Sequence, residues 1–125
     1  MTVLCLLEVV KELGVKAIVQ NAAASSIGRM IVRYFTKNGI KVINIVRRQE
    51  QVDILQKEGA EYILNSSDLK YFDELKVLSA KLNATVFLDA IAGPETGVTM
   101  KHMPDETIGY VYGGLSDKDP VISVV

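Results

Sequence analysis

Asn21-Ala22-Ala23-Ala24-Ser25-Ser26-Ile27-Gly28-Arg29 is a turn of small residues set between two runs of different character. Before it stands Ala17-Ile18-Val19, a continuous, partly β-branched apolar run too short for a helix. That pattern suits a central strand buried on both faces. After it, Ile27, Met30, Ile31, Tyr34 and Phe35 recur at i, i+3, i+4, i+7 and i+8, which makes one apolar helical stripe. Strand, tight turn and amphipathic helix in this order form the unit in which parallel sheets hold dinucleotides. Read as GxGxxG, the three slots hold Ala23, Ser25 and Gly28, so only the third glycine is kept. Small side chains still let the backbone turn sharply, and amides at the helix N-terminus can hold a pyrophosphate. Gly28 would let the helix pack closely on the strand. The candidate residues are Ala22, Ala23, Ser25, Ser26, Ile27 and Gly28. The same small residues could also form a tight turn that binds nothing.

Outward from the turn, strand-like and helix-like runs alternate along the chain. Thr2 can cap a helix reaching Leu13, with Leu6, Val9, Val10 and Leu13 on one face and Gly14 at its end. Asn38-Gly39 closes the helix after the turn, and Lys41 to Val46 reads as a second strand. A short helix from about Gln49 to Glu58 stops at Gly59, and Tyr62-Ile63-Leu64 is a third strand. Ser67 or Asp68 caps a helix to about Lys81, Thr85 to Leu88 is a fourth strand, and Ile108 to Tyr112 a fifth. Between the last two lies a weaker helical segment, Gly93 to Met103. Strands separated by helices imply βαβ units with right-handed crossovers and a parallel sheet. The expected fold is a doubly wound, three-layer α/β domain, Rossmann-like, with strand order 3-2-1-4-5. Its ligand crevice lies where the order reverses, at the C-terminal ends of strands one and four. Ala22 to Gly28, Ala92-Gly93 and Tyr112-Gly113-Gly114 should surround that crevice.

Composition bounds the rest. The 125 residues are enough for one domain with one real core, and 49% hydrophobic with 23% charged residues is too apolar for disorder. Fourteen basic residues against fifteen acidic ones give a net charge of −1, so no global basic field draws in nucleic acid or an anionic membrane. A single cysteine, Cys5, excludes a disulfide framework and a cysteine-cluster metal site, and it reads as a small packing residue. Val3 to Val10 is too short to span a bilayer, and no basic segment precedes it. A soluble, cytoplasmic domain is the expectation. His102 has no carboxylate or cysteine arranged around it and reads as a surface residue; Asp89 reads as structural, with no acid–base role.

The turn Val19 to Gly28 resembles the AxxGxxG variant of the medium-chain dehydrogenase/reductase superfamily, in its quinone-oxidoreductase and enoyl-reductase branch, with Ala22, Ser25 and Gly28 in the slots. Three further stretches agree in order and spacing. Glu58 to Asn65 resembles the family's third strand, Phe87 to Gly93 its fourth, and Tyr110 to Ser116 its fifth. Ser25 departs from the family's usual glycine. The resemblance implies the cofactor-binding domain of an NAD(P)H-dependent oxidoreductase, moving a hydride between nicotinamide and a carbonyl, quinone or activated alkene. It also implies that residues 1–125 are a fragment, inactive alone and without the GroES-like domain that supplies the substrate pocket and any zinc ligands. The fifth strand would then be a bare sheet edge, open to self-association near Tyr110 to Val125 as a homo-oligomer. Two alternatives stay open beside it. One is a short-chain dehydrogenase fragment, whose YxxxK motif is missing; the other is a nucleotide-binding regulatory module without chemistry.

Cofactor choice follows from spacing. An NAD-selective fold needs an acid roughly 20 residues past the glycine turn. Arg47 and Arg48 stand there instead, directly after the second strand, where a guanidinium can pair with the 2′-phosphate of NADP. Asn65 and Ser66, ending the third strand, would flank the adenine side. NADP rather than NAD is the expected cofactor.

Overall fold

In the computed structural model, residues 3–91 and 93–111 and the backbone of 121–124 are described. The alternation read from the sequence is present: α1 (Val3–Glu12), β1 (Ala17–Gln20), α2 (Ser26–Lys37), β2 (Lys41–Val46), α3 (Gln49–Lys57) and β3 (Tyr62–Asn65). It continues through α4 (Tyr71–Leu82), β4 (Val86–Asp89), α5 (Glu95–Lys101), β5 (Ile108–Val111) and β6 (Val121–Val124). The sheet order is β3-β2-β1-β4-β5-β6, and the first five strands are parallel as expected. β1 is central: Ala17, Ile18, Val19 and Gln20 are all buried, with Gln20 opposite Asn44 of β2.

Alternation of side chains along each strand divides the core into two layers. Ile18, Val42, Val46 and Leu88 pack against Leu6 and Val10 of α1 and Ile31 and Phe35 of α2. Val19, Ile43, Ile45 and Phe87 pack on the opposite side against Tyr71 and Leu75 of α4 and Met100 of α5. These are the three layers.

Several expectations are corrected. The buried face of α2 is Gly28, Ile31, Val32 and Phe35, while Ile27 and Tyr34 are exposed. The stripe is rotated because Gly28, with no side chain, must face the strand. In α1 the buried set is Val3, Leu6, Leu7 and Val10; Leu13 and Cys5 are exposed, so Cys5 is not a packing residue. The fourth helix starts at Tyr71, later than a cap at Ser67 or Asp68 would set it, because the Asp68 carboxylate accepts the Lys70 amide at 2.9 Å and holds a turn first.

The largest correction concerns the sheet edge. β6 lies antiparallel on β5, from Ile108 opposite Val124 to Val111 opposite Val121. The amides and carbonyls of β5 expected to recruit another copy are met by the chain's own backbone, and the reason for a homo-oligomer through that strand disappears. Thr2, Ala92, Tyr112, Gly113 and Gly114 lie outside the described residues.

Candidate functional site at the strand-order reversal

Parallel pairing brings the C-terminal ends of β1, β2, β3 and β4 to one edge, so the loops after them meet around the reversal between β1 and β4. The turn after β1 is set by local necessity. Ala22 takes a left-handed φ of 50°, and its carbonyl accepts the Ser25 amide at 3.0 Å. Ser25 is the N-cap of α2, and its Oγ accepts the Gly28 amide at 3.1 Å. A Cβ at residue 28 would sit 2.5 Å from the Ala23 carbonyl oxygen and 2.7 Å from that of Ala22. Only glycine fits there.

Buried polar groups tie this turn to the sheet. Gln20 Nε2 donates to the Gly28 carbonyl at 3.0 Å and to Asn44 Oδ1 at 2.8 Å, while Asn44 Nδ2 donates to the Tyr62 carbonyl at 2.9 Å. Asn21 Nδ2 donates to Asp89 Oδ1 at 2.6 Å, and Asn21 Oδ1 accepts the Ala90 amide at 2.7 Å. The wholly buried Asp89 also accepts the Ile91 amide at 2.8 Å and the Thr96 hydroxyl. Asp89 thus joins the loops after β1 and β4. Outside the crevice, Arg29 Nε donates to Glu58 Oε1 at 2.8 Å, linking α2 to the end of α3. This hydrogen bond holds the Glu58 carboxyl below its ordinary range.

The reversal carries a cleft of about 320 Å³. Of the residues singled out in the sequence, Ala22, Ala23, Arg47 and Ser66 line it. Ser25 and Gly28 instead shape the turn behind it. Arg48 is exposed and outside the lining, and Asn65 Oδ1 accepts the Ser67 amide at 2.9 Å. Gly93 is outside the lining as well; its carbonyl accepts the Thr96 amide at 3.1 Å at the start of α5.

Ten lining residues are not among the sequence candidates: Asn21, Ile45, Val46 and Ile91 at the strand ends, and Gln51, Tyr71, Phe72, Glu95, Val98 and Thr99 on helices. The last six stand on α3, α4 and α5, whose meeting depends on the crossovers. Phe72, Ile91 and Val98 give the cleft apolar walls. Phe72 is backed by the His102 ring, stacked at 4.5 Å, while His102 Nδ1 lies 2.9 Å from the Val98 carbonyl oxygen; His102 is half-buried, not the bare surface residue expected. Burial raises the Tyr71 phenol above its ordinary value, opposed by a hydrogen bond with Thr99. Gln51 Oε1 accepts the backbone amides of Arg47 and Arg48 at 2.9 and 3.1 Å, fixing that loop's path. An apolar slot with a guanidinium and a hydroxyl at one end fits a nucleotide. Among the described residues no three His, Cys, Asp or Glu side chains are placed to hold a metal. No helix among them is long and apolar enough to cross a membrane.

Sheet order, crevice and turn together define a Rossmann-like α/β domain. No protein-family model matches the chain. The mitochondrial enoyl-[acyl-carrier-protein] reductase of Rattus norvegicus is 24% identical over 113 residues, covering 87% of this chain and 30% of that protein. A protein assigned as an NADPH:quinone reductase in Mesorhizobium loti superposes with a TM-score of 0.81 at 29% identity, over 95% of this chain and 35% of the other. The Escherichia coli quinone oxidoreductase complexed with NADPH shares the fold, with a TM-score of 0.64 at 17% identity, over 74% of this chain and 28% of that one. The chain therefore spans about a third of the length of the relatives it matches. The names these relatives and neighbours carry, enoyl reductase and quinone oxidoreductase, are those of the branch that the sequence resembles.

Proposed function

We propose that this chain is the cofactor-binding domain of an NADPH-dependent oxidoreductase that transfers a hydride to or from a carbonyl, quinone or activated alkene. The observation that carries the proposal is the cleft at the strand-order reversal, with the Arg47 guanidinium after β2 and Ser66 after β3 where the second ribose hydroxyl of a bound dinucleotide would lie. NADPH supplies the hydride when bound. The chain's own residues bind and orient it: the turn Ala22 to Gly28 receives the pyrophosphate, Phe72, Ile91 and Val98 enclose the adenine, and Arg47 selects the 2′-phosphate. On this reading residues 1–125 are one part of a longer enzyme, and a GroES-like domain elsewhere provides the substrate pocket. We place the protein in the cytoplasm from its composition; the curated relatives carry mitochondrial names, and cell fractionation distinguishes the two.

Titration of the chain with NADPH and with NADH tests the reading. Losing one charge-assisted hydrogen bond costs about 1.5–3 kcal/mol, so Arg47→Ala should weaken NADPH roughly 10–100-fold and leave NADH nearly unchanged. Tighter NADH binding to the wild type, or equal losses for both cofactors, would overturn it.

A further inference from the structure

Arg47 and Glu95 come from opposite sides of β1 and meet over the cleft. Arg47 follows β2, whereas Glu95 opens α5, the helix after β4. Arg47 Nη2 donates to Glu95 Oε2 at 3.1 Å, and both residues line the cleft. Their side chains are 58% and 72% exposed, so the pair lies open to water. The backbone beneath Arg47 is fixed: its amide donates to Gln51 Oε1, and its carbonyl accepts the Ser67 hydroxyl at 2.8 Å. The side chain can therefore change partner without movement of the loop.

Resting on the NADPH reading above, we propose that Glu95 is a specificity-determining residue, an internal competitor for the arginine that binds the 2′-phosphate. A carboxylate already occupies the guanidinium when no ligand is present, and a ligand must displace it. A phosphate dianion brings more charge and three acceptor oxygens, so it displaces Glu95 readily. A ligand without that phosphate gives Arg47 nothing in return, and the pair stays closed across the adenosine end. Glu95 thus lowers the affinity for the phosphate-bearing ligand in proportion to the population of the closed pair. Because exposed ion pairs are weak, this competition tunes binding and does not block it.

Calorimetric titration of the 125-residue chain with 2′,5′-ADP and with 5′-AMP tests the proposal, using wild type, Glu95→Gln, Arg47→Ala and the double variant. Glu95→Gln should tighten 2′,5′-ADP about 3–5-fold, the scale of one exposed ion pair, and leave 5′-AMP unchanged. In the Arg47→Ala background the same substitution should give no gain. An unchanged affinity for 2′,5′-ADP in folded Glu95→Gln overturns the competition, as does an equal gain for 5′-AMP or a gain that survives without Arg47. The NADPH reading fails in a different way: wild type would bind 2′,5′-ADP no better than 5′-AMP and Arg47→Ala would alter neither, and the competition then falls with it.

Discussion

The turn after β1 and the loop after β2 border one crevice but are held by opposite means. In the first, Gly28 is enforced by backbone oxygens 2.5 and 2.7 Å from where a Cβ would stand, and Ser25, Gln20 and Asn21 use their polar groups inward. In the second, the backbone is pinned by Gln51 and Ser67 while the Arg47 side chain points into water toward Glu95. The first loop's shape is therefore a folding requirement, and the second's charge is free for ligand selection. A turn with two glycine slots replaced can keep its geometry, because the remaining glycine occupies the one position where a side chain is sterically impossible.

The difference between the two loops is sharpest at Gly28. Gly28→Ala forces a methyl against main-chain atoms that cannot rotate away, and overpacking of this kind costs about 1–3 kcal/mol. A thermal melt should show a clear loss of stability; a wild-type melting temperature would show that the turn is not sterically determined. Ser25→Ala should cost about 1 kcal/mol by removing the N-cap, measured by urea unfolding, and an unchanged midpoint would remove the cap from the account. The smallest effect belongs to Glu58. Its carboxyl is lowered by the Arg29 hydrogen bond, so its stabilising contribution is complete above the ordinary carboxylate value of 4.5 and is lost as pH falls through the lowered value. Wild type should melt slightly above Glu58→Gln at pH 7, with the gap closing in acid; a gap that widens as pH falls would reverse the sign.

The fold was legible because its strands are short β-branched runs and its helices amphipathic, and neither signal depends on distant residues. Sheet order followed from the crossover rule. β6 was missed: Val121-Ile122-Ser123-Val124 has a strand's composition, but nothing local says which edge it joins. Gly28 and Arg47 were legible by their spacing from β1 and β2. The far wall of the cleft was not, because Phe72 and Val98 are ordinary apolar helix residues until the crossovers bring α4 and α5 to the same edge. Cys5 was assigned to packing from its apolar neighbours and Tyr34 from its helical spacing; the rotation of each helix on the sheet decides exposure, and local pattern fixes it only to within a residue or two.

Amide chemical-shift mapping of the ¹⁵N-labelled chain during NADPH titration shows whether the crevice at the strand-order reversal receives a dinucleotide. Saturable shifts are expected at Ala22, Ala23, Arg47, Ser66, Ile91 and Val98, with the distal ends of α1 and α3 unmoved. Shifts confined to another surface, or none at those six amides at saturating NADPH, would contradict binding there.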